Sequence, residues 1–296
     1  MEPVELEMML YSAMAYPDVC EIWKYASPTK YERSKFRDLD VWRHSKNSNT
    51  ALITLSGGAR LQFCQYIQKL VDGLDLDADI YGLENYGTFN FCCIADVADF
   101  IRSVSGKYDN LIVMGFSLGG ILGSQVLSQL GGDCGKTTLI VIGTPFDINN
   151  STEFFDNHMK LYRIDFTHLY YKAFDNSLGH NRGTLLSDVL TLGNYDGYAR
   201  FVERMYGLAN FRFLMKINPN IPKCRVISFY NNRELLVRRE LNVLDIERFK
   251  SELDASSSFE EYAFETWMPG HCSEWAQDAN AKIICQQIRR VLDKKM

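Results

Sequence analysis

Short runs of uninterrupted apolar residues alternate along the chain with longer segments whose apolar residues recur every three or four positions. A run bounded by turn residues is typical of a strand buried on both faces, and the three-to-four-residue spacing predicts amphipathic helices. The predicted strands are 51–55 (ALITL), 111–115 (LIVMG), 137–145 (TTLIVIGTP) and 224–230 (CRVISFY). The predicted helices are 61–70, 91–104, 121–130 and 275–293.

Strands that alternate with helices form βαβ units, so we predict an α/β fold with a mostly parallel central sheet and helices on both faces. The rhythm changes between 147 and 222, a stretch rich in aromatic residues that has helical patches but no buried-strand run. We interpret this stretch as a helical cap inserted into one domain. The predicted parts are an N-terminal extension packing on the core (1–48), the first half of the core (49–146), the cap (147–222) and the second half (223–296).

Composition and charge narrow the classes of function. The chain has 296 residues, of which 46% are hydrophobic and 23% charged, so it can bury a sizeable core and is not a disordered chain. The chain has a net charge of −5 and therefore lacks the excess of basic residues that nucleic-acid-binding proteins carry. We expect no nucleic-acid partner. The eight cysteines show no CxxC pair and no metal-ligand spacing. We therefore predict buried thiols in a reducing compartment, no metal and no cofactor.

One uncharged stretch, residues 111–132, is long enough to cross a bilayer. It contains glycines, serines and glutamines, which favour a strand, a turn and a helix over a membrane span. The first residues carry glutamates and lack a basic segment followed by an apolar one. We therefore expect no secretory signal, no transmembrane span and a cytoplasmic protein.

The sequence Gly115-Phe116-Ser117-Leu118-Gly119 fits the pattern G-x-S-x-G, directly after a predicted strand and directly before a predicted helix. In this context the pattern forms a nucleophile elbow, a sharp turn that exposes the serine above the sheet. Glycine is needed at 115 and 119 because side chains there would clash with neighbouring elements. We predict Ser117 as the nucleophile and the amide of Leu118 as an oxyanion donor. The alternative is an ordinary tight turn that contains a serine.

A serine nucleophile needs a base, and after an elbow of this kind the acid and then the histidine follow along the chain. One histidine precedes Ser117 and three lie inside the predicted cap, which leaves His271. His271 follows a strand-like run that begins at Phe264 and a Pro-Gly turn, so we predict it as the base. The second oxyanion donor is predicted to be the amide of Gly58, in the glycine turn after the first strand.

The acid has more than one candidate. Asn231 and Asn232 follow the fourth apolar run, where a triad acid is expected. The nearest carboxylate is that of Glu234, and Asp147, after the preceding run, is the alternative. A third alternative is that no carboxylate acts as the triad acid. An amide in this place can hold the wrong imidazole tautomer, at a cost of about 10⁴ in rate.

Four segments, in this order, carry a resemblance to a known family: VMGFSLGGILGSQVL, GTPFDI, YGLANFRFLMKINPNIP and the Pro-Gly-His turn at His271 with Glu274 and Trp275. They resemble the elbow, the segment after the next strand, the end of the cap and the histidine turn of the YheT-like subgroup of the α/β-hydrolase superfamily. This subgroup includes animal α/β-hydrolase-domain lipid hydrolases. The resemblance covers roughly residues 50–290.

Two departures from the subgroup stand beside the resemblance. The chain has Ser56-Gly57-Gly58 where the family has His-Gly, and Asn231-Asn232 where the subgroup has two aspartates. The resemblance implies an esterase- or lipase-like serine hydrolase of the α/β-hydrolase fold, in which Ser117 and His271 cleave a small-molecule ester or a lipid. The resemblance is compatible with peripheral contact with a membrane, and it predicts no particular oligomeric state. The alternative, favoured by the two asparagines, is a catalytically impaired hydrolase fold that binds a ligand or a protein.

Overall fold

One eight-stranded sheet organises the part of the chain that the computed structural model describes, residues 30–37, 39–55, 65–84, 94–131, 136–147, 216–232, 237, 239–264 and 278–293. Its strands are β1 (Glu32–Phe36), β2 (Leu39–His44), β3 (Thr50–Leu55), β4 (Asp79–Glu84), β5 (Asn110–Phe116), β6 (Lys136–Ile142), β7 (Cys224–Asn231) and β8 (Ser258–Phe264). The helices of these residues are α1 (Gln65–Leu74), α2 (Ile94–Ser105), α3 (Leu118–Leu130), α4 (Arg239–Glu252) and α5 (Asp278–Asp293).

The strands lie side by side in the order β1-β2-β4-β3-β5-β6-β7-β8. All neighbours from β4 to β8 run parallel, whereas β2 runs antiparallel to both β1 and β4. Parallel neighbours need a crossover connection, and α1, α2, α3 and α4 each follow one strand of the sheet and precede another. This arrangement confirms the predicted α/β fold with a mostly parallel sheet.

Alternate residues of the central strands face two separate hydrophobic cores. Leu111 and Val113 of β5 pack on the face covered by α2, α3 and α4, and Ile112 and Met114 pack on the face covered by α1 and α5. A strand that is buried on both faces has no polar side, which explains why its sequence is continuously apolar. Helices on both faces, as predicted, are therefore present.

The uncharged stretch 111–132 is not one long helix. It divides into most of β5, a turn at Ser117 and helix α3, which confirms the predicted strand, turn and helix. Within the described ranges, no helix is both long enough and apolar enough to cross a membrane.

Several elements are not marked by the hydrophobic pattern. β1 and β2 lie inside the predicted N-terminal extension (1–48), yet they form one edge of the sheet itself. Four of the five residues of β1 (ERSKF) are exposed, so the sequence has no apolar run that would predict this strand. Charged edge strands are common because they discourage pairing with other chains. At the opposite edge β8 (SFEEYAF) is also only half-buried, and it too carries charged residues.

A buried aspartate holds the amino end of β4. Asp79 is 3% exposed, and its carboxylate accepts hydrogen bonds from the amides of Lys46 and Ser48 and from the hydroxyls of Ser45 and Tyr108, at 2.7–3.3 Å. Burial by itself raises the pKa of Asp79, but these hydrogen bonds to the ionised form outweigh burial and lower the pKa to about 2. The cluster stabilises the end of the sheet that is opposite to the elbow.

Candidate active site

Ser117 lies in a sharp turn between β5 and α3. Its backbone has φ 52° and ψ −123°, a conformation that residues other than glycine rarely adopt. Hydrogen bonds fix the turn on both sides. The Ser117 amide donates to the carbonyl of Ile142 at 2.9 Å, and the Gly120 amide donates to the carbonyl of Ser117 at 3.0 Å. The sharp turn expected from the motif is therefore present, and the role of Ser117 as nucleophile stays a prediction.

Two glycines let the elements around this turn approach closely. A Cβ on Gly115 would lie 2.4 Å from the carbonyl oxygen of Gly119, which is backbone and cannot move without moving α3. A Cβ on Gly120 would lie 2.2 Å from Oγ1 of Thr144, just after β6. The predicted clash at Gly115 is confirmed, and Gly120 makes a second close approach.

Helix α3 begins at Leu118, directly after the serine. The first amides of a helix have no acceptor within the helix and carry the positive end of its dipole. The amide of Leu118 thus stands beside Ser117 in the first turn. Ser117 is partly exposed, whereas Phe116 and Leu118 on either side are buried.

The sheet order brings the ends of three strands together at this edge. β6 lies between β5 and β7, and Ile142 of β6 pairs with both Phe116 and Phe229. The three strands are parallel, so their carboxyl ends lie at the same edge as Ser117. Neighbouring strands are about 4.8 Å apart, which places the exit of β7 roughly 10 Å from the exit of β5.

The segments that carry the other predicted site residues start at this edge. β7 ends at Asn231, which is 3% exposed and pairs in register with Phe264, the last residue of β8. Phe264 is thus the end of a strand, although the sequence suggests that a strand begins there. Glu234 follows β7 and His271 follows β8 in the sequence, but both residues, like Gly58, lie outside the described residues.

Asp147, the alternative acid, is described by the structure and contacts two cations. It is 3% exposed, and its carboxylate lies 2.7 Å from Nζ of Lys216 and 3.6 Å from a guanidinium nitrogen of Arg248. The backbones of Asp147 and Lys216 also form an antiparallel bridge. These contacts favour a structural role for Asp147, which joins two distant parts of the chain.

Asn218 adds a second set of contacts between the same region and α3. Its amide donates to the hydroxyl of Ser124 at 2.8 Å, and its side chain donates to Oε1 of Gln125 and Oγ of Ser128, both at 3.0 Å. We call these hydrogen bonds and the ion pairs of Asp147 the clasp. The clasp brings Asp147 and Lys216, the described residues that flank positions 148–215 of the predicted cap, next to each other beside the helix that follows Ser117. The segment itself lies outside the described residues.

The end of the predicted cap belongs to the core side of the clasp. Ile217 and Ile221 are 5% and 1% exposed and pack in the same hydrophobic core as α3. Sequence reasoning missed the clasp because its partners are far apart along the chain, and no local pattern marks them.

Two of the eight cysteines are described, and both are free and buried. Burial raises the pKa of Cys224 to about 12 and that of Cys285 to about 11, so both are protonated and unreactive at neutral pH. In the described part of the chain, no group of three or more histidine, cysteine, aspartate or glutamate residues could hold a metal ion.

Comparison with known proteins decides the type of fold. No family model matches the chain, and no curated protein matches it. Among solved structures, the Pyrococcus furiosus esterase Pf2001 matches with a TM-score of 0.58 and 14% identity, over 96% of this chain and 98% of its own. The chain has the α/β-hydrolase fold.

Two further structures with this fold match at similar distance. The esterase Rv0045c from Mycobacterium tuberculosis matches with a TM-score of 0.52 and 12% identity, over 99% of this chain and 98% of its own. An α/β-hydrolase fold protein from Chitinophaga pinensis matches with a TM-score of 0.52 and 13% identity, over 91% of this chain and 99% of its own. In this α/β-hydrolase fold Ser117 lies in the strand-to-helix turn of the G-x-S-x-G pattern. The YheT-like subgroup stays a prediction.

Proposed function

We propose that the protein is a serine hydrolase that cleaves a carboxylic ester or an acyl lipid through an acyl-enzyme intermediate. The backbone of Ser117 carries the proposal, because a residue with a side chain is held at φ 52° between a buried strand and a helix N-terminus. Such a conformation costs of order 1–3 kcal/mol and persists where the surrounding structure enforces it, often at active sites. In an α/β-hydrolase fold this turn presents the nucleophile.

The proposed reaction has two halves. Oγ of Ser117 attacks the ester carbonyl carbon while His271 accepts the hydroxyl proton, and the amides of Leu118 and Gly58 donate hydrogen bonds to the oxyanion. His271 then gives the proton to the alcohol oxygen as the ester bond breaks. Water, deprotonated by His271, attacks the acyl-enzyme, and the carboxylic acid leaves as Ser117 regains its proton.

Glu234 is the proposed acid that orients the imidazole, with Asp147 as the alternative. Glu234 follows β7, whose exit lies at the same sheet edge as Ser117. Asp147, by contrast, is paired with Lys216 in the clasp. A carboxylate next to the imidazole of His271 fixes its tautomer and stabilises the imidazolium that forms.

The substrate class is supported by the matched structures and by the resemblance. The names of the matched P. furiosus and M. tuberculosis proteins describe them as esterases, and the resemblance to the YheT-like subgroup favours acyl lipids. We propose a small-molecule ester or a lipid as the substrate and the cytoplasm as the location. Rates on a panel of esters of increasing acyl-chain length, measured as kcat/KM, test the choice of substrate. A value that does not depend on the acyl chain would argue against an acyl-lipid substrate.

A fluorophosphonate probe tests the nucleophile directly, because it reacts with activated serines. We expect labelling of the wild-type protein and none of Ser117→Ala, with the modified peptide containing Ser117. A folded wild-type protein that the probe leaves unmodified would refute the hydrolase. That result would favour the alternative of an impaired hydrolase fold used for binding.

Two conservative variants test the acid. We expect Glu234→Gln to lower kcat by up to about 10⁴ and Asp147→Asn to leave kcat within a few-fold of wild type. The reverse pattern would make Asp147 the acid. Unchanged turnover in both variants would mean that neither carboxylate serves.

A further inference from the structure

The side chain of Thr144 packs directly against the first turn of helix α3. Thr144 is 7% exposed and lies just after the end of β6. Its Oγ1, Cγ2 and Cβ atoms lie 2.2, 2.7 and 2.9 Å from the position that a Cβ on Gly120 would take. The whole side chain of Thr144 therefore fills the space that is open because Gly120 has no side chain.

Gly120 is part of the turn that holds Ser117. The Gly120 amide donates to the carbonyl of Ser117 at 3.0 Å, and Gly120 lies in the first turn of α3 with Leu118. The backbone of one helical turn moves as a unit, so a shift of Gly120 also shifts the amide of Leu118, the proposed oxyanion donor. Thr144 therefore limits how far this turn can move towards the residues that follow β6.

The backbone that carries Thr144 is fixed to both neighbouring strands. The carbonyl of Ile142 accepts a hydrogen bond from the amide of Ser117, at the end of β5, at 2.9 Å. The amide of Gly143 donates to the carbonyl of Phe229, in β7, at 3.0 Å. These two hydrogen bonds come directly before Thr144 in the chain, so they hold its side chain against α3.

The contact between Thr144 and Gly120 is steric. Oγ1 of Thr144 is buried, and the described ranges contain no hydrogen-bond partner for it. A buried hydroxyl without a partner lowers the stability of a fold, whereas a methyl group in the same place does not. Valine has nearly the shape of threonine, so it would make the same contact with Gly120 without this loss of stability.

We propose that Thr144 is a positioning residue for the nucleophile, and that its volume, not its hydroxyl, holds the first turn of α3 in place. This inference rests on the proposed function, in which Ser117 is the nucleophile. Thr144 takes no part in bond making or breaking, and it acts on the reaction through Gly120. Its effect can still be large, because a misplacement of about 1 Å at the reacting groups can cost about 10²-fold in rate.

Variants of the full chain that keep or remove the volume of Thr144 test the inference. The readout is the second-order rate of labelling by the fluorophosphonate probe, measured well below the melting temperature of each variant. We expect Thr144→Val to react at the wild-type rate and to melt at the same or a higher temperature. We expect Thr144→Ala to react about 10-fold slower or more, because the first turn of α3 can then shift.

Val104→Ala is the matched control for a loss of buried volume. Val104 is 8% exposed, near the end of α2, and packs in the hydrophobic core that α2 shares with α3. It precedes the amino end of β5, at the edge of the sheet away from Ser117. We expect Val104→Ala to lower the melting temperature at least as much as Thr144→Ala does, while the rate of labelling stays at the wild-type value.

A double variant tests the contact with Gly120 itself. Gly120→Ala places a Cβ on the side chain of Thr144, so we expect it to melt at a lower temperature and to react more slowly with the probe. Thr144→Gly removes the clashing atoms, and the new methyl group then fills their space. The double variant should therefore melt at a higher temperature and react faster than Gly120→Ala alone.

Each other outcome overturns the inference. A wild-type rate of labelling in Thr144→Ala, or an equal loss in Val104→Ala, would leave Thr144 a packing residue only. Slow labelling of Thr144→Val would assign the role to the hydroxyl, and no gain in the double variant would exclude the contact with Gly120. If the probe leaves the wild type unmodified, the proposed nucleophile fails first, and the inference fails with it. If Thr144→Ala does not fold, Thr144→Ser, which lacks only Cγ2, takes its place under the same criteria.

Discussion

The backbone of Ser117 predicts that the native residue lowers the stability of the fold. At φ 52° and ψ −123° a Cβ crowds the backbone, whereas glycine adopts such angles without strain. Ser117→Gly relieves about 1–3 kcal/mol of strain and loses about 0.5–1 kcal/mol through the more flexible unfolded chain. Ser117→Ala keeps the Cβ and the strain. Both variants lack the hydroxyl, so the difference between them isolates the backbone contribution, and we expect Ser117→Gly to be more stable, by up to about 2.5 kcal/mol.

Equilibrium unfolding in urea, followed by the fluorescence of the four tryptophans, measures this difference. Thermal melting should agree with it, at about 2–4 °C per kcal/mol for a protein of this size class. Neither variant should react with the fluorophosphonate probe, which confirms that the hydroxyl is gone in both. If Ser117→Gly is no more stable than Ser117→Ala, the turn is not strained, and the main support for the proposed nucleophile is lost.

Three other contacts give predictions of their own. Gly115→Ala places a Cβ 2.4 Å from a backbone oxygen. We expect this variant to be less stable by about 3 kcal/mol and to lose labelling by the fluorophosphonate probe. A melting temperature near that of the wild type would contradict the close approach. Asp79 has its pKa lowered from 3.8 to about 2, so its contribution of about 2 kcal/mol is present above pH 4 and disappears as the pH falls towards 2. The stability difference between wild type and Asp79→Asn, from urea unfolding at pH 7, 4 and 2.5, should shrink over that window, and a constant difference would contradict it. Asp147→Asn weakens the clasp and should lower the free energy of unfolding by about 1–3 kcal/mol in the same assay, while an unchanged midpoint would mean that the ion pairs of Asp147 contribute nothing.

The sequence predicts the central strands well because they are buried on both faces, and it fails where tertiary partners reverse the usual pattern. Helix α4 shows the reversal. Asn242 and Asp245 are 2% and 4% exposed, whereas Val243 and Leu244 are 39% and 82% exposed. The Phe146 amide donates to Asn242 at 3.1 Å, which satisfies the buried side chain. A residue so distant in the sequence leaves no trace in the periodicity of the helix, so the apolar spacing does not predict α4.

The candidate site divides along the same line. The turn at Ser117 is predictable because a strand, a motif and a helix follow one another without interruption, and the clash at Gly115 follows from that local geometry. The pairing of Asp147 with Lys216 and that of Arg239 with Glu261 are contacts between separate segments. Such contacts depend on how the sheet is assembled. Sequence spacing therefore identifies the nucleophile candidate but not the side chains that support the surrounding loops.

The clasp affects how far the length and sequence between Asp147 and Lys216 can vary without destabilising the fold. Because Asp147 and Lys216 are bridged, the two described residues that flank positions 148–215 lie next to each other, beside the core. The entropy lost on closing a flexible loop grows only with the logarithm of its length, by about 0.6 kcal/mol for each doubling. An insert of quite different length or sequence could therefore be grafted between the same two residues at little cost to the core. The contacts of the clasp are made by residues outside the insert, so we expect the sheet to stay intact when the insert is replaced.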